Sequence, residues 1–241
     1  MLHKVKGIVL HSINYSETSL IVKIYTDLFG LKSFLVRGIR SKKSKIKPGL
    51  FQPLTLLDLV INHKEKSSLQ SIKEIHIAYP YQSLPFDIQK SSIALFINEL
   101  LYKSIREEEK NVELFHFLWN TCIQLDLYDG TVNCFHLVFS IQLTRYLGIM
   151  PQKNYSVHRQ IFNVKEGHFQ STIPEHSLFL DTEISSALNT IISTPLELSS
   201  TLKIKPSARA GLLSTIITYF QYHLPGFREI HSHQVLHSVL S

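Results

Sequence analysis

The sequence predicts an α+β protein, in which a small five-stranded β-barrel comes first and an α-helical domain with a short hairpin insertion follows. Three observations predict this order. Short runs rich in Val, Ile, Leu and aromatic residues occupy the chain up to Ala78, helical periodicity begins near Lys90, and alternation returns between Ser156 and Ser171. The 241 residues are enough for two ordinary domains.

Five segments near the N-terminus have the composition of strands, and polar or glycine-containing breakers separate them. In order they are VKGIVLHSI, SLIVKIYTD, LKSFLVRGI, PLTLLDLVI and LQSIKEIHIA. In the third segment Lys32, Phe34 and Val36 share one face, as a period of two requires. Five strands with one long connection after the third outline an oligonucleotide-binding (OB) barrel, although the strand count also allows an SH3-like barrel.

A domain boundary is expected where the strand pattern ends. The segment YPYQSLPF has two prolines and no periodicity. We therefore expect a barrel domain at residues 1–79, a linker at residues 80–86 and a helical domain at residues 87–241.

Three amphipathic helices are predicted after the linker. Apolar residues recur with helical spacing from Lys90 to Ile105, from Val112 to Leu127 and from Val132 to Leu147. Gly148 and Pro151 are expected to end the third helix.

A β-hairpin is predicted inside the helical domain, as an insertion at about residues 155–177. Apolar and polar residues alternate on both sides of Lys165-Glu166-Gly167. Helices resume after it, with Asp181 and Ser207 as the expected N-caps.

The positive charge of the chain is concentrated in its first third. Residues 1–80 hold 13 Lys and Arg against 5 Asp and Glu, whereas residues 81–241 hold 12 against 14. Such asymmetry indicates a polyanionic partner for the N-terminal part, either nucleic acid or an acidic membrane surface. The charge peaks in one segment without acids, RGIRSKKSKIKPG, whose cations are Arg37, Arg40, Lys42, Lys43, Lys45 and Lys47.

We call residues 37–47 the basic loop, and its composition favours phosphate binding. Lysine and arginine side chains on a Ser- and Gly-containing loop can follow a nucleic-acid backbone and release its counterions. The alternatives are a solvated run of charge, or a membrane surface, for which a basic amphipathic helix would be the expected form. Aromatic residues surround the loop in sequence, and Tyr25 and Phe34 are candidates for stacking on bases.

Motifs of catalysis are missing from the sequence, which lacks a Gly-rich phosphate loop, a GxSxG elbow and an HExxH pair. Cys122 and Cys134 are too few for a disulfide framework or a cysteine zinc site and indicate a reduced, cytosolic protein. We expect no enzyme, no metal and no cofactor, and read the histidines of HSHQVLH and the acids at 107–109 as ordinary surface or core residues. No run of about 18 apolar residues is present, so we expect no membrane span.

A series of short elements between Gly7 and Leu59 supports a more specific hypothesis. They are Ser16-Glu17 after an aromatic residue, Thr26, Gly30 with Lys32, Gly38 between arginines, Ser44, Leu50 and Gln52-Pro53. Together they resemble the N-terminal domain of the RecO family of bacterial recombination mediators. The resemblance continues through INELL, LTRYLGIMP and the closing FREIHSHQVL, and so covers most of the chain.

The resemblance implies an OB barrel, a helical bundle and a small insertion. Proteins of this family bind single- and double-stranded DNA, anneal complementary strands, dock on the acidic C-terminal tail of single-stranded DNA-binding protein, and act with RecR to load RecA. A cytoplasmic, nucleoid-associated protein is then expected. The implied DNA contacts are the six cations of the basic loop, with Lys4, Lys6 and Lys32 as secondary candidates.

This chain departs from the family in its insertion. Many relatives carry a four-cysteine zinc site there, whereas residues 155–177 contain no cysteine. A zinc-free hairpin held by packing is therefore expected.

For the acidic tail of single-stranded DNA-binding protein, the candidate docking site is Arg145 with Phe139. A generic RNA-binding or translation-associated OB protein is the alternative function, and a nuclease is a third.

Overall fold

The computed structural model describes residues 1–39, 47–106 and 109–240. Contacts divide the described residues into two compact units. The first comprises residues 1–86 and those from 98 to 127, and the second comprises residues 87–97 and those from 128 onward. This division differs from the expected one, since it falls inside the first helix and assigns residues 80–86 to the same unit as the barrel.

The first unit contains the closed five-stranded barrel that the sequence predicts, with the OB rather than the SH3-like architecture. Its strands follow the order β1-β2-β3-β5-β4, and β4 closes on β1. The pairing of β3 with β5 is parallel and the other pairings are antiparallel. The strands are β1 (Leu2–Asn14), β2 (Leu20–Thr26), β3 (Gly30–Val36), β4 (Leu56–Asn62) and β5 (Leu69–Ile77).

One long strand, β1, closes the barrel by pairing with two neighbours. Its first half pairs with β4 and its second half with β2, and the register shifts between Val9 and His11. A Cβ atom at Gly7 would lie 2.6 Å from the Ile24 side chain. Glycine is therefore required where β1 passes from one partner to the other.

Apolar side chains from all five strands and from a turn between β3 and β4 fill the barrel. Phe34 is fully buried among them, and a 3-10 turn at Pro48–Phe51 adds Phe51, which is 2% exposed. The other core residues include Val5, Val9, Val22, Ile24, Leu57, Leu59 and Ile61.

Two helices, α1 (Ile88–Ser104) and α2 (Val112–Leu127), follow the barrel, close to the predicted bounds. Within the first unit, the end of α1 packs on the barrel through Tyr102, whose ring stacks on His11 at 4.4 Å and lies under the Lys23 ammonium at 5.2 Å. Lys23 and His11 face each other across β1 and β2. A cation–π contact and a ring stack therefore hold this helix end.

Residues 80–86 are anchored by Asp126 near the end of α2. Its carboxylate accepts hydrogen bonds from the backbone N–H groups of Gln82, Ser83 and Leu84, the shortest at 2.7 Å, and from the Tyr79 hydroxyl at 3.1 Å. Because these donors all converge on one buried carboxylate, the segment has a fixed conformation.

The second unit is built around a buried helix, α3 (Phe135–Tyr146). Almost every side chain of α3 is buried, including Phe139 at 0% exposure. The surrounding helices are α4 (Thr182–Ser193), α5 (Pro206–His223) and α6 (His233–Leu240). Asp181 is confirmed as an N-cap, since its carboxylate accepts from the Ile184 N–H. The Ser207 cap is wrong, because Pro206 already occupies the first turn of α5.

The predicted hairpin is confirmed as β6 (Ile161–Asn163) and β7 (His168–Gln170), and β8 (Phe179–Leu180) adds a third strand beside β6. Gly167 has φ +67° at the turn, a conformation that favours glycine. Aromatic packing holds the hairpin on α5, through Phe162, Phe169 and Tyr219. In the described ranges, no helix is long and apolar enough to cross a membrane.

Candidate nucleic-acid interface

Both ends of the basic loop are fixed to the barrel. At its start, Arg37 follows β3 and is exposed, while Ile39 is buried and its N–H donates to the Thr18 carbonyl at 2.9 Å. At its end, exposed Lys47 leads into the 3-10 turn that buries Phe51. The predicted contacts Arg40, Lys42, Lys43 and Lys45 lie outside the described residues. Arg37 and Lys47 therefore lie where the loop leaves and rejoins the barrel.

A groove lies beside the start of the basic loop, between the end of β3 and the β4–β5 loop. Its volume is about 510 Å³, and its described lining contains two cations, Arg37 and Lys64, and no carboxylate. The remainder of the lining is apolar or uncharged, namely Leu35, Val36, Asn62, Ser67, Leu69, Gln70, Ser71 and Ile72. An open, positively charged groove of this composition suits a phosphodiester backbone.

The β4–β5 loop is held in place by one buried side chain, Gln70, which is 4% exposed. Its amide oxygen accepts from the Lys64 N–H at 2.8 Å, and its amide nitrogen donates to the carbonyls of Lys64 at 3.0 Å and of Ser67 at 2.6 Å. The parallel pairing of Ser33 with Leu69 sets this loop beside β3. Lys64 is thus positioned by backbone contacts rather than by its own side chain.

A cluster of rings borders the β4–β5 loop on the β2–β3 turn. The Phe29 and His63 rings stack at 4.0 Å, and His3 meets Phe29 edge-on at 5.1 Å. Burial lowers the pKa of His63, and the nearby positive charge of Lys32 lowers it further. Lys32, a secondary candidate, therefore lies on the same side of the barrel as this loop.

Lys4 and Lys6 occupy a different environment from Arg37. They line a separate cavity of about 420 Å³ together with three carboxylates, those of Asp27, Asp58 and Glu74. The Lys6 ammonium lies 3.3 Å from the Asp58 carboxylate and 4.8 Å from the centre of the Trp119 ring. Because these acids offset the lysine charges, this face attracts a polyanion less strongly than the groove does.

Models of two protein domains match the chain: "Recombination protein O N terminal" over residues 1–81 and "Recombination protein O C terminal" over residues 85–231. The protein called DNA repair protein RecO in Flavobacterium psychrophilum is 41% identical over 240 residues, 99% of either chain. The chain belongs to the RecO family. A RecO protein of Phocaeicola vulgatus is 38% identical over 241 residues, the whole of both chains, and one of Bacteroides fragilis is 38% identical over 237 residues, 98% of both.

RecO family membership agrees with the observed architecture. The N-terminal match spans the whole barrel, and the two matches meet within residues 80–86, the segment that the sequence indicates as a linker. The C-terminal match spans α1 to α5 and the hairpin. The resemblance seen in short motifs thus extends over the full chain.

The prediction that Tyr25 and Phe34 stack on bases is wrong. Phe34 points into the barrel and is fully buried, while Tyr25 is 1% exposed. Tyr25 lies on the outer side of β2, but α2 covers it with the Phe115 ring, whose centre is 6.2 Å away. Neither ring presents a face to a nucleobase, since strand alternation places one in the core and helix packing covers the other.

Of the two residues predicted to bind the acidic tail of single-stranded DNA-binding protein, Arg145 and Phe139, the structure leaves only Arg145 accessible. Phe139 is fully buried inside α3, so its ring is a core residue and is not available to a partner. Arg145, near the end of the same helix, is exposed and stays a candidate.

Lys64 and Gln70 are the site residues that sequence reasoning missed. The segment HKEKSS signalled only a break between strands, although its two lysines are visible in the sequence. That one of them faces Arg37 depends on the parallel β3–β5 pairing, which local sequence does not reveal. Nothing in the local sequence indicates that Gln70, at the start of β5, holds this loop.

The buried thiol of Cys122 is poorly suited to covalent chemistry. Burial raises the pKa of Cys122 to about 12, so this thiol stays protonated at neutral pH. Among the residues that the structure describes, no three His, Cys, Asp or Glu side chains are grouped to hold a metal ion, and the histidines of α6 form no such group. The groove that Arg37 and Lys64 line is, in contrast, of a composition that suits a polyanion.

Proposed function

We propose that this protein is a DNA-binding recombination mediator of bacterial DNA repair. It binds single- and double-stranded DNA, anneals complementary strands, and helps RecR load RecA onto DNA coated with single-stranded DNA-binding protein. The observation that carries the proposal is the groove next to the basic loop, where Arg37 and Lys64 face solvent without an acid among the described lining residues. The names of its relatives, DNA repair protein RecO, support the same role.

DNA binding would depend on phosphate contacts from one side of the barrel. The groove supplies Arg37 and Lys64, the sequence of the basic loop adds further cations, and each neutralised phosphate releases counterions. The proposed contacts are Arg37, Arg40, Lys42, Lys43, Lys45, Lys47, Lys32 and Lys64. Lys4 and Lys6 become weaker candidates because of the acids around them.

Annealing needs no bond to be made or broken. Two DNA strands repel each other through their phosphates, and a protein that screens this charge raises their local concentration and speeds pairing. We therefore propose a non-enzymatic role without a cofactor, performed in the cytoplasm at the nucleoid.

The acidic tail of single-stranded DNA-binding protein would dock on the helical unit. Arg145 is exposed there, and a second location is supported by a cavity of about 600 Å³ between α5 and α6. Its walls combine apolar Leu213 and Leu236 with Arg209, and it has no carboxylate among its described lining residues. A cationic group beside apolar side chains suits an acidic peptide.

The test is the salt dependence of affinity for a fluorescent single-stranded DNA. If about six phosphates are neutralised, the log–log slope of the parent should be on the order of −4. Changing Lys42, Lys43, Lys45 and Lys47 together to Glu should make the slope much shallower. Lys64→Glu should reduce it by about 0.7, the contribution of one phosphate.

Lys73→Glu is the matched control, because Lys73 is an exposed lysine on β5 that lines neither barrel cavity. It should leave the slope close to that of the parent. Equal slopes for the parent and the four-glutamate variant would reject the role of the basic loop. Tighter binding of RNA than of DNA of one sequence would favour the RNA-binding alternative, and cleavage with magnesium or manganese would favour a nuclease.

A further inference from the structure

The turn between β1 and β2, residues 15–19, carries an exposed aromatic ring. Tyr15 is 62% exposed, the most open aromatic side chain in the described part of the barrel. Tyr25 and Phe34 are buried, and Phe29 is partly buried and stacked on His63. The Tyr15 ring is therefore open to solvent, whereas the rings of Tyr25 and Phe34 are covered.

The turn that carries Tyr15 is held by backbone hydrogen bonds. The N–H groups of Tyr15 and Ser16 both donate to the Ser19 carbonyl, at 3.0 and 3.3 Å. The Ile39 N–H donates to the Thr18 carbonyl at 2.9 Å, which ties this turn to the start of the basic loop. The backbone turn that carries the ring is thus tied to the root of the loop.

Strand pairing places the turn next to the cationic end of the groove. Leu20, the first residue of β2, pairs with Val36, the last residue of β3. Arg37 follows directly and lines the groove. A strand of nucleic acid that contacts Arg37 consequently passes close to the turn that bears Tyr15.

We infer that Tyr15 is a base-stacking residue that gives the barrel a preference for single-stranded over double-stranded DNA. The inference rests on the proposed function, because it assumes that DNA enters the groove. Bases of a single strand have free faces and gain affinity from an aromatic ring, whereas bases in a duplex are already stacked on each other. Phosphate contacts from Arg37 and the basic loop are available to both forms, so the ring supplies the discrimination.

The experiment compares the parent with Tyr15→Ala and Tyr15→Phe. The probes are a fluorescent oligothymidine, a duplex of equal length and an abasic oligonucleotide of equal length. Tyr15→Ala should weaken binding of oligothymidine by about tenfold, with little change for the duplex and the abasic strand. Its salt slope should match that of the parent, since no phosphate contact is lost. Tyr15→Phe keeps the ring and should keep the affinity.

Tyr222→Ala is the matched control, because Tyr222 is 52% exposed on α5 in the other unit. It should leave all three affinities unchanged. An equal loss on oligothymidine and abasic DNA, or an equal loss in Tyr15→Phe and Tyr15→Ala, would overturn the inference. Salt-dependent binding by the parent that Tyr15→Ala leaves intact would overturn the inference alone, whereas no DNA binding by the parent would overturn the proposed function as well.

Discussion

The buried imidazole of His136 should make the stability of this protein depend on pH. His136 lies in the first turn of α3, is 3% exposed, and its Nδ1 atom has no hydrogen-bond partner among the described residues. Burial, together with the positive charge of Arg209, lowers the pKa of His136 to about 3. The folded protein therefore keeps this ring neutral at a pH where an unfolded chain protonates it.

The sign and size of the effect follow from this difference. Above pH 6.5 the ring is neutral in both states, so it does not alter the free energy of unfolding. As the pH falls below 6.5, only the unfolded state takes up the proton, and stability should drop by about 1.4 kcal/mol per pH unit. Between pH 6.5 and 4.5 the loss from this one group is on the order of 3 kcal/mol.

The assay is urea unfolding followed by circular dichroism at several pH values, for the parent and for His136→Leu. Carboxylates titrate in both proteins, so the difference between the two curves isolates His136. That difference should be constant above pH 7 and change steadily below pH 6.5. His158→Leu, which alters an exposed histidine, should follow the parent. Parallel curves for the parent and His136→Leu at every pH would show that His136 does not contribute to the pH dependence of stability.

Two further outcomes are expected. Asp126→Asn should lower the free energy of unfolding by about 2 to 3 kcal/mol, because the carboxylate accepts several hydrogen bonds and an amide cannot replace them all; an unchanged urea midpoint would contradict the anchoring of residues 80–86. Burial opposes ionisation of Asp126, but the bonds from the Gln82, Leu84 and Ser83 amides outweigh it and hold its pKa low, so its contribution should be full above about pH 4 and fade below. Chelation should leave the thermal midpoint and refolding unchanged, because aromatic packing holds the β6–β7 hairpin; a loss of refolding with chelator would argue for a bound metal.

Much of the fold was predictable because its signals are local. The five strands, the two helices at residues 88–127 and the hairpin turn at Gly167 all follow from side-chain periodicity and from breakers a few residues away. The cap at Asp181 was predictable for the same reason. The cap expected at Ser207 was wrong because two acceptable start signals lie side by side, and Pro206 begins the helix first.

The site was less predictable than the fold. An alternating pattern shows which residues of a strand share a face, but it does not show whether a helix later covers the outer face. Tyr25 illustrates this limit, because it is covered by Phe115 on α2, a residue far from it in the sequence. Phe139 was misjudged because α3 is buried on nearly every side, and a helix of that kind shows no polar face to mark its interior.

The barrel, the helices, the hairpin, the family and the concentration of positive charge in RGIRSKKSKIKPG can all be recognised from the amino-acid sequence. Each of these is a property of neighbouring residues or of their order. Three features emerge only from the folded chain: Lys64 shares a groove with Arg37, Lys6 is paired with Asp58, and Tyr15 lies in a turn tied to the root of the basic loop. These facts depend on strand pairing between segments far apart in the chain, and electrostatic and stacking interactions act across such short distances in space whatever the separation in sequence.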